Sequence, residues 1–143
     1  MSDLDTAAPA IEDRGELALT LDGTRMVLRP TFEAVSEIEQ TLDRGLVDLA
    51  RAAIAGKLKM SETAQIVGAC VRAWGRETDN KGVAGANDKR IARLIMDSDD
   101  GVHEAMRTIG GMLSMAVTGG YTTAGELKPS MITKTTEKAL VDG

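Results

Sequence analysis

The run GELALTLDGTRMVLRP, residues 15–30, constrains this chain more than any other stretch. Two segments alternate apolar and polar residues: Leu17, Leu19 and Leu21 in the first, Met26 and Leu28 in the second. Between them lies Asp22-Gly23, a dipeptide that accepts the positive φ angles of a two-residue type I′ turn. Such a turn sets the register. Leu19 falls opposite Met26, Leu17 opposite Leu28, and Glu16 opposite Arg29, so the apolar pairs share one face and an ion pair closes the open end. An isolated hairpin is marginal in water, so its Leu/Met face must be buried against other elements.

Helices follow at once. Pro30 ends the second strand, Thr31 is a capping residue and Glu33 sits in the first turn, where the helix dipole favours an acid. Phe32, Val35, Ile38 and Leu42 recur at helical spacing, and Gly45 stops that helix. A second helix, LVDLARAAIAG, carries Leu46, Leu49, Ala50, Ala53 and Ile54 on one face. Ser61 caps a third, ETAQIVGACVRAWG, whose inner face is Ile66, Val67, Cys70, Val71 and Trp74. The glycine-rich polar run GRETDNKGVAGAN at 75–87 reads as a loop. A fourth helix spans 88–97 with Ile91, Leu94 and Ile95 inward. Asp99 or Asp100 caps a fifth that runs to Val117, with Val102, Met106, Ile109, Leu113 and Val117 as its stripe.

These elements imply an α+β fold, an N-terminal β-hairpin packed on a bundle of about five α-helices. The domain spans 15–118, between a flexible acidic arm at 1–14 and a flexible C-terminal tail at 119–143 that carries a short helix near 135–141. With 143 residues, one domain is expected. Aromatic residues make up only 2% of the chain, and a core of leucine, alanine and methionine favours close helix packing over a sandwich or barrel.

Charge and composition narrow the function. A net charge of −5 argues against general affinity for DNA or RNA, which needs clustered cations to displace counterions. The basic group Lys81, Lys89, Arg90 and Arg93 is interrupted by Asp79 and Asp88 and reads as a solvated helix face. One cysteine permits no intramolecular disulfide, in keeping with a reducing compartment. The N-terminal run is acidic and lacks the apolar centre of a signal peptide, and no run reaches the roughly 20 apolar residues of a membrane span. A cytoplasmic protein is expected.

Candidate chemistry is sparse. His103 is the only histidine and has no second His or Cys at ligand spacing, so no metal site is expected. Cys70 falls on an apolar face, whereas a reactive thiol needs an exposed, electropositive setting. DSDDG at 97–101 fails the calcium-loop pattern, because Gly101 falls at position five and Thr108 at position twelve. GVAGANDK at 82–89 lacks the spacing of a phosphate loop. No acid–base pair or nucleophile–base pair emerges, so neither an enzyme nor a cofactor is expected. Met106, Met112 and Met115 cluster in the fifth helix, with Met96 just before it. Methionine suits both irregular cores and promiscuous grooves. Two readings stand: core filler, or a groove for an amphipathic partner helix formed by Met106, Met112 and Met115.

The order of these elements resembles a known family. Gly15-Glu16 opens the hairpin, Asp22-Gly23 turns it, and the pattern R-x-T-F-x-A-x-x-E-I-E follows through Thr31-Phe32 and Glu37-Ile38-Glu39. After a glycine comes Leu46 to Ala50, and a helix ends at Ala73-Trp74-Gly75. Over residues 14–77 this is similar to the tail assembly chaperones of siphophages and prophages, in particular the branch found in gene transfer agents and sometimes labelled a tail tube protein. The resemblance implies a non-catalytic factor that holds the tape measure protein soluble while tail tube subunits are recruited. It also directs attention to the hairpin edge, whose unpaired backbone groups can template pairing with a tube subunit or a second copy. A structural tail component retained in the particle and a small regulatory nucleic-acid-binding protein are the competing readings.

Overall fold

The computed structural model describes residues 17–129. The arm at 1–14, Glu16 with its expected pairing to Arg29, and the helix expected near 135–141 lie outside them. Within them the chain is α+β, a two-stranded antiparallel hairpin followed by six helices.

Strands β1 (Leu17–Leu21) and β2 (Thr24–Leu28) pair in the expected register, Leu17 with Leu28 and Leu19 with Met26. Asp22 and Gly23 take φ of 50° and 75°, the left-handed conformation that a two-residue hairpin turn demands. Leu19, Leu21, Met26 and Leu28 are fully buried, and so is Val27 on the opposite side of β2. β2 packs on α3 (Met60–Glu77), and the Arg29 N–H just beyond the strand donates to the Cys70 carbonyl at 3.0 Å.

α3 is the axis of the molecule. All of its residues from Thr63 to Trp74 other than Gln65 and Arg72 are buried, and β2, α1, α4, α5 and α6 all lie against it. A helix enclosed on all sides reads as apolar all round. Its start differs from expectation. Lys59, not Ser61, is the N-cap, because the Glu62 carboxylate reaches back to accept the Lys59 N–H at 2.9 Å. That bond, with help from Arg44, pulls the Glu62 carboxyl below its ordinary range. Arg44 itself bridges Asp48 at 2.8 Å and Glu62 at 3.1 Å, tying the turn after α1 to the other two helices.

α1 (Phe32–Leu42) is capped by the Thr31 hydroxyl, which accepts the Ala34 N–H at 3.1 Å. It ends at Asp43 in a left-handed conformation, two residues before the expected stop at Gly45. Its buried residues are Ala34 and Ile38. Phe32, expected inward, is 62% exposed. A helical side chain covers the turn that precedes it, and the first residue of a helix has no such turn to cover.

α2 (Leu46–Ile54) buries Leu49, Ala50 and Ala53. The expected loop at 75–87 is smaller than its composition implied. α3 continues through Gly75 to Glu77, and a single turn, α4 (Lys81–Ala84), follows with Asn80 as its cap. Gly75 allows this, since the Val83–Ala84 backbone crosses against it where any Cβ would stand. α5 (Asp88–Asp97) starts from the Asn87 cap, and α6 (Gly101–Val117) completes the core.

The end of the domain, expected at 118, differs as well. Residues 119–129 fold back on the body. Tyr121 bridges Leu127, the Phe32 N–H donates to the Thr123 carbonyl at 2.9 Å, and the side chain of Arg29, a residue 6% exposed, donates to Ala124 and Glu126. A buried guanidinium needs acceptors, and this return segment supplies them.

Candidate partner-binding surface

α2 and α6 run antiparallel. Leu46 and Ala116 line one cleft, while Ala53, Ile54 and Gly110 line another. The approach is close because the facing residues are small. A Cβ on Gly110 would meet Ile54 and Ala53 at ordinary contact distances of 3.6–3.7 Å.

The larger cleft, about 320 Å³, lies at the C-terminal end of α2. Ile54 and Met106 give it apolar walls, Gly110 and Gly111 a floor of bare backbone, and His103 and Arg107 a polar rim. Ile54 is 70% exposed although the helical pattern placed it inward. It is the last residue of α2, and the chain turns away at Gly56 before anything covers it. Gly111 has no atom within 4 Å of where its Cβ would be. On the rim, Arg107 pairs with Glu104 and lies 3.8 Å from Asp100, and Asp100 is 2.8 Å from His103 Nδ1. Asp100 therefore serves the rim and makes no side-chain cap for α6.

The smaller cleft, about 170 Å³, lies at the other end of the seam, between Phe32, Val35, Leu46, Ala116 and Tyr121. Val47 and Val117 are also exposed on these helices. Four of the five large exposed apolar side chains among the described residues thus belong to the start of α1, to α2 and to α6. Met96 is the fifth.

The three methionines singled out from the sequence do not form one surface. Met106 is 7% exposed, with one side on the larger cleft and the rest in the core. Met112 is buried at 1%, so it fills the core. The reason is rotational. α6 buries Ala105, Met106, Ile109, Met112 and Leu113, whereas Val102 and Val117, expected inward, sit at the edge. Met115 is half-buried beneath Gly120, where a Cβ would collide with its sulfur. Cys70 is enclosed, and burial pushes its thiol up to about 12. Among the described residues no group of three or more His, Cys, Asp or Glu side chains could hold a metal ion, and no helix is long and apolar enough to cross a membrane. On α5, Asp88 turns inward to Arg72 at 2.6 Å, while Lys89, Arg90 and Arg93 stay exposed on its outer side.

The residues missed from the sequence are Ile54, Gly110 and Gly111. Their signal was available. Two adjacent glycines in the middle of a long helix weaken it, and nothing in the local pattern called for a turn there.

Comparison with known protein families adds one finding. A family model described as phage tail tube protein, GTA-gp10, matches residues 14–119, which takes in the hairpin and all six helices. No curated protein and no solved structure matches the chain.

Proposed function

This chain belongs to the phage tail tube protein GTA-gp10 family, and from that premise we propose that it is a tail assembly chaperone that binds the tape measure protein through the α2–α6 seam, without catalysis, while tail tube subunits assemble. The observation that supports this most is the floor of the larger cleft. Gly111 stands exposed in a helix interior with open space around it. Glycine there costs about 1 kcal/mol relative to alanine. A local rule broken without a packing reason points to use of the site. Bare backbone between Ile54 and Met106 lets another helix lie close, the arrangement of an amphipathic helix in a groove. A long helical partner that is insoluble alone needs such a surface.

Co-expression with a tape measure protein, followed by size exclusion of the soluble fraction, tests this. The chaperone reading expects the partner to be soluble only in the presence of this chain and to co-elute with it. Partner that stays in the pellet while this chain elutes alone contradicts it.

A second reading rests on the family's description as a tail tube protein. A structural component remains in the finished particle and a chaperone does not. Mass spectrometry of purified particles separates the two, and abundant peptides of this chain would favour the structural role.

A further inference from the structure

We propose that residues 120–128 are a displaceable strap, latched by Arg29, that closes the smaller cleft beside Phe32. The device is a property of this chain alone and does not depend on which partner the seam receives.

The strap has a defined hinge. Gly119, at φ 76°, ends α6, with its N–H on the Ala116 carbonyl at 3.1 Å and the Gly120 N–H on the Met115 carbonyl at 2.9 Å. This closure satisfies the last carbonyls of the helix whether or not the strap is docked. Beyond the hinge the strap carries three backbone bonds of its own, too few to keep its shape once it leaves the body. Thr122 N–H donates to Glu126 at 2.8 Å, Gly125 N–H to Thr122 at 2.9 Å, and Lys128 N–H to Gly120 at 2.8 Å.

Its polar ties to the body centre on Arg29 and the start of α1. Arg29 Nε donates to the Ala124 carbonyl at 2.7 Å, and another guanidinium nitrogen to Glu126 Oε1 at 2.9 Å. The Phe32 N–H donates to the Thr123 carbonyl at 2.9 Å. Tyr121 is half-buried against the core, whereas Thr122, Thr123 and Lys128 face outward. Two of these ties have a replacement. The Phe32 N–H is one of the donors that a helix start leaves without a partner inside the helix, so water can take the place of Thr123 there. Glu77 lies 4.0 Å from the same Arg29 nitrogen that holds Glu126, so a second carboxylate already neighbours the guanidinium. Among the described residues Tyr121 is the one strap side chain packed on the hydrophobic core. Such segments open at a fraction of the cost of global unfolding. What opening uncovers is the wall of Pro30, Val35, Leu46 and Ala116, so the apolar surface of this chain is adjustable.

Native-state hydrogen exchange on the whole chain tests this. The four amides to follow are Phe32, Thr122, Gly125 and Lys128, with the α3 amides from Val67 to Val71 as the reference. The expected result is exchange at least about a hundredfold faster at the strap amides, at rates insensitive to low urea. Glu126→Gln should speed them by about fivefold and leave α3 unchanged, the loss of one partly buried charge-assisted bond. Gly125→Ala should remove their protection altogether, because its Cβ would lie 2.9 Å from both Arg29 Cγ and Thr31 N, at a φ of 77°. Strap amides that exchange together with α3, and accelerate with urea in parallel with it, would overturn the proposal. So would a Glu126→Gln protein with an unchanged strap, or a Gly125→Ala protein that lowers protection in α3 as much as in the strap.

Discussion

Replacing Gly111 by alanine should stabilise this protein. In most helices flanked by packed neighbours an added methyl meets something, but here a Cβ has no atom within 4 Å. The steric term is therefore absent and the backbone term remains. Glycine in a helix interior is less favourable than alanine by about 1 kcal/mol. In a domain of this size that raises the melting temperature by roughly 3–6 °C. Gly110→Ala should act in the same direction, since its Cβ would only touch Ile54 and Ala53 at 3.6–3.7 Å. A larger residue separates stability from function. Gly111→Leu keeps the helical preference but fills the floor of the cleft of about 320 Å³. Its melting temperature should match or exceed that of the natural chain, while affinity for the helical partner drops at least about tenfold, on the order of 1.4 kcal/mol. Differential scanning calorimetry gives the first quantity and titration of the partner the second. A fall in melting temperature for Gly111→Ala would refute the reasoning about open space. Unchanged partner affinity in Gly111→Leu would refute the assignment of the cleft.

Other substitutions test the packing. Gly75→Ala should cost roughly 2–3 kcal/mol in urea melts, because its Cβ would stand 2.7 Å from the Val83 carbonyl carbon, and backbone cannot yield as a side chain does; a loss under about 0.5 kcal/mol would mean that α4 is loosely docked. Thr31→Ala should cost about 1 kcal/mol by removing the cap on Ala34 N–H, read in the same melts. The buried Cys70 thiol gives a pH signature. Its folded pKa is raised from 9.0 to about 12, so the proton is held more tightly in the native state. Below pH 9 this has no effect, and between pH 9 and about 12 stability falls by up to about 1.4 kcal/mol per pH unit as the unfolded thiol ionises first. Cys70→Ala should flatten that decline; equal slopes in the two proteins would contradict it. Tyr121, raised from 10.0 to about 12 mainly by burial, adds a decline of the same sign above pH 10 in both proteins.

The hairpin was legible because its information is local. Asp22-Gly23 dictates the turn, the turn dictates the register, and the alternation of Leu17, Leu19, Met26 and Leu28 dictates the face. The number and order of the main helices followed from the period of their apolar residues. What failed was anything set by the neighbours of a helix. Phe32 and Ile54 match the apolar stripe of α1 and α2 but stand at helix ends, where no element covers them. The stripe of α6 was assigned to Val102, Met106, Ile109, Leu113 and Val117, while contact with α3 and α2 rotates the buried face toward Ala105 and Met112. The short α4 was hidden in a glycine-rich run whose first member, Gly75, belongs to α3 and is needed where the Val83–Ala84 backbone crosses it. The return of residues 120–128 had no periodic signal, since contacts from Tyr121, the side chain of Arg29 and a backbone bond from Phe32 hold it. Of the candidate surface, only Met106 was anticipated. Ile54 was assigned inward, and the glycine pair was read as part of a helix without the question of why a helix would keep it.

The central claim is that the α2–α6 seam carries the partner. Ile54→Lys and Met96→Lys test it most directly in the co-elution experiment, because both replace an exposed apolar residue near a helix C-terminus, where a cation is favoured. Both proteins should fold and elute normally when alone. The account predicts that Ile54→Lys loses co-elution with the tape measure protein and Met96→Lys retains it. Co-elution that survives Ile54→Lys, or is lost equally in both, would contradict it.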